Sequence, residues 1–435
     1  MRVRSVAVGA LRVLHPPDPL ARVLTWSSMA ASLSSGLFYP VSAVFFTRVI
    51  GLDTGTVGWG LTVAGAVGVV GSFAAGYLAD RVGAHRLLLG ASVGQGLALL
   101  AYAQARGTLA FVVIAAAVIG MRSMQGTARS TLLARCFPGP DRVAVRAGLR
   151  VITNVFMALG SVLAAVALVL DTDGAYVVTV LLVGLLVLCS GVPLLRLGRL
   201  VRERVGPDAS PHPASPASPA SAPAAPGASA SGGSGRSPLR DRTYLGVTGL
   251  NTVMAMQFGL QSVGVPLWIT TGTQAPLWMV SVALLLNTVL VSAFQVPLAR
   301  GTHDVPTAGR AVARAGVLLA AACVLFAFAG QGDVVSACVL LVLAVVLAAV
   351  AEMLAEAGGW GLAFELADPH NAGAYQGVSQ TGYAIAAMLA PVVVTWTAVE
   401  HGTVGWVGLG ALFALAGVAT MVLARRSHRP PAAVA

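Results

Sequence analysis

Long apolar runs alternate along this chain with short turns that carry arginine, proline and glycine. About 20 consecutive apolar residues carry a helix across the hydrocarbon core of a bilayer. Runs of that length predict spans at 25–48, 55–78, 87–105, 108–133, 148–170, 175–196, 244–270, 276–299, 312–330, 334–358, 373–398 and 403–424, twelve in all. Between the sixth and seventh the pattern stops. Gly206 to Pro238 is Pro/Ala/Ser/Gly without apolar period, which reads as a flexible connector with no core to bury. The chain therefore divides into an arm at 1–24, a six-helix bundle at 25–200, a linker at 201–242, a second six-helix bundle at 243–425 and a tail at 426–435.

Composition agrees with a bilayer as solvent: 57% of residues are hydrophobic and 10% charged. Every one of the 27 basic residues is arginine, a choice that points to a GC-rich bacterial genome. Their distribution orients the chain. If the turn at 80–86 is cytoplasmic, the arginines of the arm, linker, tail and same-side turns are all cytoplasmic, from Arg2 to Arg429. Only Arg48 and Arg106 fall on the other side, beside Asp53, Asp171, Asp173, Asp333 and Glu400. This asymmetry places both termini in the cytoplasm and explains the net charge of +11 by a membrane rather than by a nucleic-acid partner. The N-terminal stretch, broken by Pro16, Pro17 and Pro19, reads as a cytoplasmic arm rather than a signal peptide. Cys136, Cys189, Cys323 and Cys338 are isolated and all seven histidines lie outside the apolar runs, so neither a disulfide framework nor a metal site is expected. No nucleophile–base constellation or phosphate-cradling loop is present, so neither an enzyme nor a cofactor is expected.

The turn after the second span reads GYLADRVGAHR. Gly76 ends an apolar run, Asp80 and Arg81 reach the membrane surface, Gly83 permits a tight reversal and Arg86 opens the next run. The pattern G-x-x-x-D-R-x-G-x-x-R resembles the loop between helices 2 and 3 of the major facilitator superfamily of secondary transporters. The family usually continues Gly-Arg-Lys/Arg, whereas this chain has Gly83-Ala84-His85-Arg86. On the fourth span, Arg122-Ser123-Met124-Gln125-Gly126 is similar to the R-x-x-Q-G motif of the drug:proton antiporter branch. On the fifth, the run from Arg146 to Gly160-Ser161 departs from that branch, because serine stands where its Gly-Pro kink has proline. The resemblance implies an all-α membrane protein with twelve transmembrane helices in two pseudo-symmetric bundles, a monomer that binds cargo at the midplane and exposes it alternately to either side. It also implies a cytoplasmic latch of Gly76, Asp80, Arg81, Gly83 and Arg86, with Asp80 facing the start of the eleventh helix.

Charges within spans are costly and point to function. Arg122 and Arg129 lie in the fourth span, Glu352 and Glu356 in the tenth. The two glutamates are four residues apart and share a helix face. They are expected to carry protons, Glu352 as the carrier and Glu356 as partner or relay, with Arg122 acting on them from across the cavity. On the helices that line the cavity in this family, and on the neighbouring eleventh, the candidate cargo contacts are Phe38, Tyr39, Met121, Gln125, Gln257, Gln261, Tyr375 and Ser379. Aromatic, thioether and amide walls suit a hydrophobic or amphipathic small molecule. The expectation is proton-coupled efflux of such a molecule, as in multidrug resistance, from the bacterial inner membrane; an importer or facilitator of a small metabolite and a non-transporting sensor are the alternatives.

Overall fold

The computed structural model describes residues 14–205 and 237–427. The first part of the arm, the linker from Gly206 to residue 236 and the tail from residue 428 lie outside the described residues. The described residues are helical throughout, in twelve spans. The first bundle holds α1 (Pro19–Val44), α2 (Thr54–Leu78), α3 (Ala84–Ala101), α4 (Gly107–Cys136), α5 (Gly139–Leu170) and α6 (Asp173–Leu194). A short amphipathic helix, Leu197–Val205, follows α6. The second bundle holds α7 (residues 242–271), α8 (Met279–Ala299), α9 (Val305–Ala329), α10 (Val334–Glu365), α11 (Ala372–Val394) and α12 (Gly402–Ser427).

Ten helical stretches are long and apolar enough to cross a membrane as unbroken units, and two features reconcile that number with twelve. Helices α2 and α3 run on through a π-helical turn, Ala79–Gly83, so Gly55–Gln104 is one stretch holding two spans. Helix α7 is broken into Arg242–Ala255, Gln257–Gly259, a π-helical turn Leu260–Gly264 and Val265–Thr271, none of which spans alone. The first residues of several helices are capped by acids. Asp18, Asp53, Asp241, Asp304 and Asp333 each accept backbone N–H groups at the start of α1, α2, α7, α9 and α10.

Within each bundle, glycines let backbones meet where lipid supplies no hydrophobic drive between helices. Helix α1 crosses α5 at Gly36 and Gly160, α2 crosses α4 at Gly71 and Gly120, and α3 meets α6 at Gly96 and Gly184. The second bundle repeats the pairing: α7 meets α11 at Gly259 and Gly382, and α9 meets α12 at Gly316 and Gly417. Helix α8 packs on α10 as α2 packs on α4. First with fifth, second with fourth and third with sixth is thus the rule in both halves. The side to which α1, α5, α7 and α11 bring their first residues and α2, α4, α10 and α12 their last is the arginine-rich face.

The α1–α5 crossing is the tightest of these in the first bundle. A Cβ at Gly36 would lie 2.1 Å from the Met157 carbonyl oxygen, and one at Gly160 would lie 2.3 Å from that of Leu33. Gly36→Val and Gly160→Val are therefore expected to cost about 1–3 kcal/mol or more through forced separation of the helices. Thermal unfolding in detergent checks this, with Gly65→Ala and Gly90→Ala, which meet open space, expected to melt like the parent.

Candidate functional site

Three arginines at i, i+4 spacing, Arg142, Arg146 and Arg150, climb one face of α5 from the arginine-rich face inward. Descending α10 opposite them are Glu352, Glu356, Trp360, Phe364 and Glu365. The two helices meet as a ladder between the bundles. At the bottom rung, Arg142 pairs with Glu365 at 3.5 Å and donates to the Phe364 carbonyl oxygen at 3.4 Å. At the middle rung the Arg146 guanidinium lies over the Trp360 and Phe364 rings, 5.0 and 5.8 Å from their centroids, and donates to Ser130 Oγ at 2.6 Å. At the top rung Arg150 binds both buried acids: Nη2 donates to Glu352 Oε1, and Nη1 lies 3.4 Å from Glu356 Oε2. The Arg150 guanidinium also covers the Phe258 ring at 4.8 Å, which shields it from water.

The top rung lies eleven residues into the 32-residue α5, about 16 Å from that helix's start and inside the membrane-spanning helices on the arginine-rich side of their midpoint. Glu352 and Glu356 are only 2% and 4% exposed. At such depth a charge is tolerated only when compensated, and removing one partner of a buried pair typically costs about 3–5 kcal/mol. The remaining oxygens are satisfied within the second bundle. Asn287 Nδ2 lies 3.4 Å from Glu352 Oε2 and donates to Gln261 Oε1 at 2.8 Å, while the Tyr383 hydroxyl donates to Glu356 Oε1 at 3.1 Å. Gln380 on α11 donates to Ser130 at 3.1 Å, extending the polar layer across the seam.

Closer to the arginine-rich face, Asp80 crosses from the first bundle to the second. Its two oxygens accept the N–H groups of Gly373 and Ala374, both at 2.8 Å, and Arg135 pairs with it. These are free donors at the start of α11, where the helix dipole also favours a carboxylate. Gly76 makes the approach possible: a Cβ there would lie 2.6 Å from the Gly373 carbonyl oxygen and 2.8 Å from Gly377 Cα. Gly83 turns the chain with φ +97°, a conformation that side chains rarely adopt. Burial pushes the Asp80 carboxyl above its ordinary range, against the Arg135 charge and the two amides. A contact that desolvates a carboxylate as well as gaining bonds is one that can release. Arg81 and Arg86 are exposed, and among the described residues neither has a carboxylate within ion-pair distance.

Other candidates lie elsewhere. Arg122 was expected opposite Glu352; instead it sits over the Tyr39 ring, 5.3 Å from the centroid, and donates to Ser35 Oγ at 3.4 Å. Arg150 takes the place assigned to it. Gln125, expected on the cavity wall, is buried in the first bundle and donates to Ala91 O and Gln95 Oε1, and Met121 packs against Gly94 of α3. Tyr375 is 1% exposed and stacks edge-on to Tyr244, whose hydroxyl donates to its carbonyl oxygen. Ser379 lies beside that same hydroxyl. These four side chains turn toward neighbouring helices because packing in the membrane consumes polar and flexible groups as readily as a cavity does. Phe38 belongs to an aromatic cluster with Phe46 and Tyr102, whereas Tyr39 is half exposed. Gln257 is buried at the α7 break with both amide atoms unpartnered, and Gln261 reaches Asn287. Sequence reasoning counts Arg146 and Arg150 as orienting charges and as the start of the fifth-span segment, without assigning them a partner. The available signal was that their i, i+4 spacing complements that of Glu352 and Glu356.

The chain matches the family profile described as Major Facilitator Superfamily over residues 24–391. No curated protein matches it. Among solved structures it is similar to the human organic anion transporter MFSD10 (TETRAN), at 16% identity and TM-score 0.63, with 93% of this chain and 100% of that one covered. It is also similar to a bacterial homologue of the iron transporter ferroportin in an outward-facing state, at 15% identity and TM-score 0.69, with 94% and 100% covered. At such identities the likeness is one of fold.

The latch geometry has a measurable consequence. Asp80→Asn removes the charge and one acceptor, a loss of about 1.5–3 kcal/mol, which shifts the seam toward opening by roughly tenfold or more. Spin labels at Val82→Cys and His370→Cys, exposed positions on either side of the seam, are expected to show a larger long-distance population in this variant while the protein remains monodisperse. An unchanged distance distribution would leave Asp80 a purely topological role.

Proposed function

The chain belongs to the major facilitator superfamily, and from that premise we propose that this multi-pass membrane transporter exports an amphipathic or hydrophobic small molecule in exchange for protons. Its arginine-rich face is the cytoplasmic one, by the positive-inside bias, and the membrane is the bacterial inner membrane. It works as a monomer, since each chain holds both bundles and the seam between them.

One observation carries this reading: the buried Arg150–Glu352/Glu356 contact joins one bundle to the other. A static charge pair within a bundle could survive alternating access unbroken. A pair across the seam cannot. Among the described residues every hydrogen bond and ion pair between the bundles lies from this rung toward the arginine-rich face, so the seam is shut on that side. Opening there must part Arg150 from both acids. A carboxylate left without its partner at this depth takes up a proton rather than stay charged. Protons entering from outside therefore neutralise Glu352 and Glu356 and release the ladder. The face opens to the cytoplasm, cargo enters while the acids are neutral, and the protons leave as closure re-forms the ion pairs. Asn287 and Tyr383 hold the acids in place through both stages. The direction agrees with the R-x-x-Q-G resemblance on α4 to the drug:proton antiporter branch.

A second reading, import or facilitated passage of a metabolite, is favoured by Ser161. It stands where the antiporter branch has proline, and its hydroxyl lies within hydrogen-bonding distance of the Met157 and Gly36 carbonyl oxygens while α5 stays continuous. Cargo accumulation in inverted vesicles supports export, and accumulation confined to right-side-out vesicles supports import.

The proton step is testable without knowing the cargo. With labels at 82 and 370, the long-distance population of the parent is expected to grow as pH falls, because protonation releases the ladder. In Glu352→Gln/Glu356→Gln the long-distance population should be high and insensitive to pH, since the amides give Arg150 no charge to bind. A parent protein whose distances ignore pH would remove the proton from the mechanism.

A further inference from the structure

We infer that the cargo is an organic anion, an apolar body bearing a single carboxylate-like or sulfonate-like group, and that Arg122 and Arg129 receive that group. The inference deepens the transport reading above and rests on it. Apart from Arg135 and Arg142, which pair with Asp80 and Glu365, α4 and α5 carry four arginines, Arg122 and Arg129 on α4 and Arg146 and Arg150 on α5. Facing them from α10 are two carboxylates, Glu352 and Glu356. Arg150 takes both acids, and Arg146 rests on two aromatic rings and Ser130. Among the described residues no carboxylate lies within ion-pair distance of Arg122 or Arg129. The interior thus holds two more positive charges than negative ones.

Geometry turns that surplus toward the seam. Seven residues is close to two helical turns, so Arg122 and Arg129 share one face of α4. Arg122 reaches Tyr39 and Ser35 of α1. Arg129 adjoins Ser130, which bonds across the seam to Gln380, and its Nε is buried with no hydrogen-bond partner. Gly126, between them on α4, has Gln380 of the second bundle as its nearest neighbour. The buried Nε of Arg129 is unfavourable without a partner, Arg122 on the same face is exposed and open to a ligand, and side chains of this kind mark a pathway for charge. The planar fork of a guanidinium fits a carboxylate or sulfonate through two parallel N–H groups. The half-exposed Tyr39 ring beside Arg122 offers an apolar surface for the rest of such a molecule.

The surplus also links cargo to the ladder. When the arginine-rich face opens and the two acids are neutralised, Arg150 joins the uncompensated cations, and the interior attracts an anion most strongly. When closure returns Glu352 and Glu356 to Arg150, two negative charges re-enter beside the cargo and weaken its hold. An anion is therefore loaded from the arginine-rich side and released on the other.

Matched probes test the charge class. The purified protein is titrated with naphthylacetate, its methyl ester and naphthylethylamine, with affinity read from thermal stabilisation. The acid is expected to bind in preference to the ester and the amine. Arg122→Gln and Arg129→Gln should each weaken the acid by about tenfold and leave the ester unaffected. Arg129→Lys, which keeps the charge if the glutamine variant does not fold, should keep the preference. Equal response to all three probes, preference for the amine, or no response to the acid overturns the anionic class. Flux into proteoliposomes separates this from the reading beneath it. Movement of ester or amine without acid leaves transport standing and the anion refuted, whereas binding of acid without any flux leaves the site standing and refutes transport.

Discussion

Among the membrane-spanning helices one guanidinium from the first bundle meets two carboxylates from the second, where neither sign is tolerated alone. In the cycle proposed above, that contact ties the state of the whole molecule to its own occupancy: while it holds, the bundles are drawn together on the arginine-rich side, and once the acids are neutral they part. The surrounding groups make the contact selective rather than merely strong. Phe258 covers the arginine, Asn287 and Tyr383 orient the acids, and Arg146 spends its charge on Trp360 and Phe364 rather than competing for them.

The proposed switch needs two bodies that move as units. Glycine crossings supply them, because helices whose backbones touch at Gly36 and Gly160, or at Gly316 and Gly417, have little freedom to slide. The same device is used differently at the seam. Gly76 brings α2 onto Gly373 and Gly377 of α11, but there the bonds are those of a single carboxylate, Asp80, whose burial opposes them. Backbone-close crossings together with hydrogen bonds such as Gln125–Gln95 hold each bundle, whereas at the Gly76 crossing between the bundles the polar contact is that of Asp80. The broken α7 adds a third element, since its π-helical turn carries Gln261 to Asn287 and so to Glu352.

Reading the chain by its apolar runs locates all twelve spans, but α1, α5 and α9 begin at Pro19, Gly139 and Val305 and α10 ends at Glu365, beyond the runs at 25, 148, 312 and 358, because helices continue through polar residues past the apolar stretch. One further difference is of kind. The run at 244–270 reads as a plain helix, whereas the structure interrupts it after Ala255 and again at Leu260. Hydropathy averages over such a break, because the residues on both sides remain apolar. Burial cost singles out Glu352 and Glu356 as exceptional, and the resemblance of the motif around Asp80 to the family's loop implies its partner helix. The partner of the glutamates was misassigned for a physical reason. Arg150 lies at the predicted edge of its span, where arginines usually only orient the chain, and nothing local distinguishes one that enters the seam from one that meets headgroups. Gln125 and Tyr375 show the converse, polar residues at plausible cavity positions that packing turns aside.

The sequence by itself determined the solvent, the number of spans, the division into two bundles and the presence of costly acids within one span. These follow from one-dimensional quantities, the length of apolar runs and the placement of charge, which the bilayer reads without reference to neighbours. Only the tertiary structure decided which cation meets those acids, that the pair crosses between bundles, and which side of the seam is shut. Pairing depends on the rotation and register of α5 against α10, and those angles are set by the summed packing of all twelve helices.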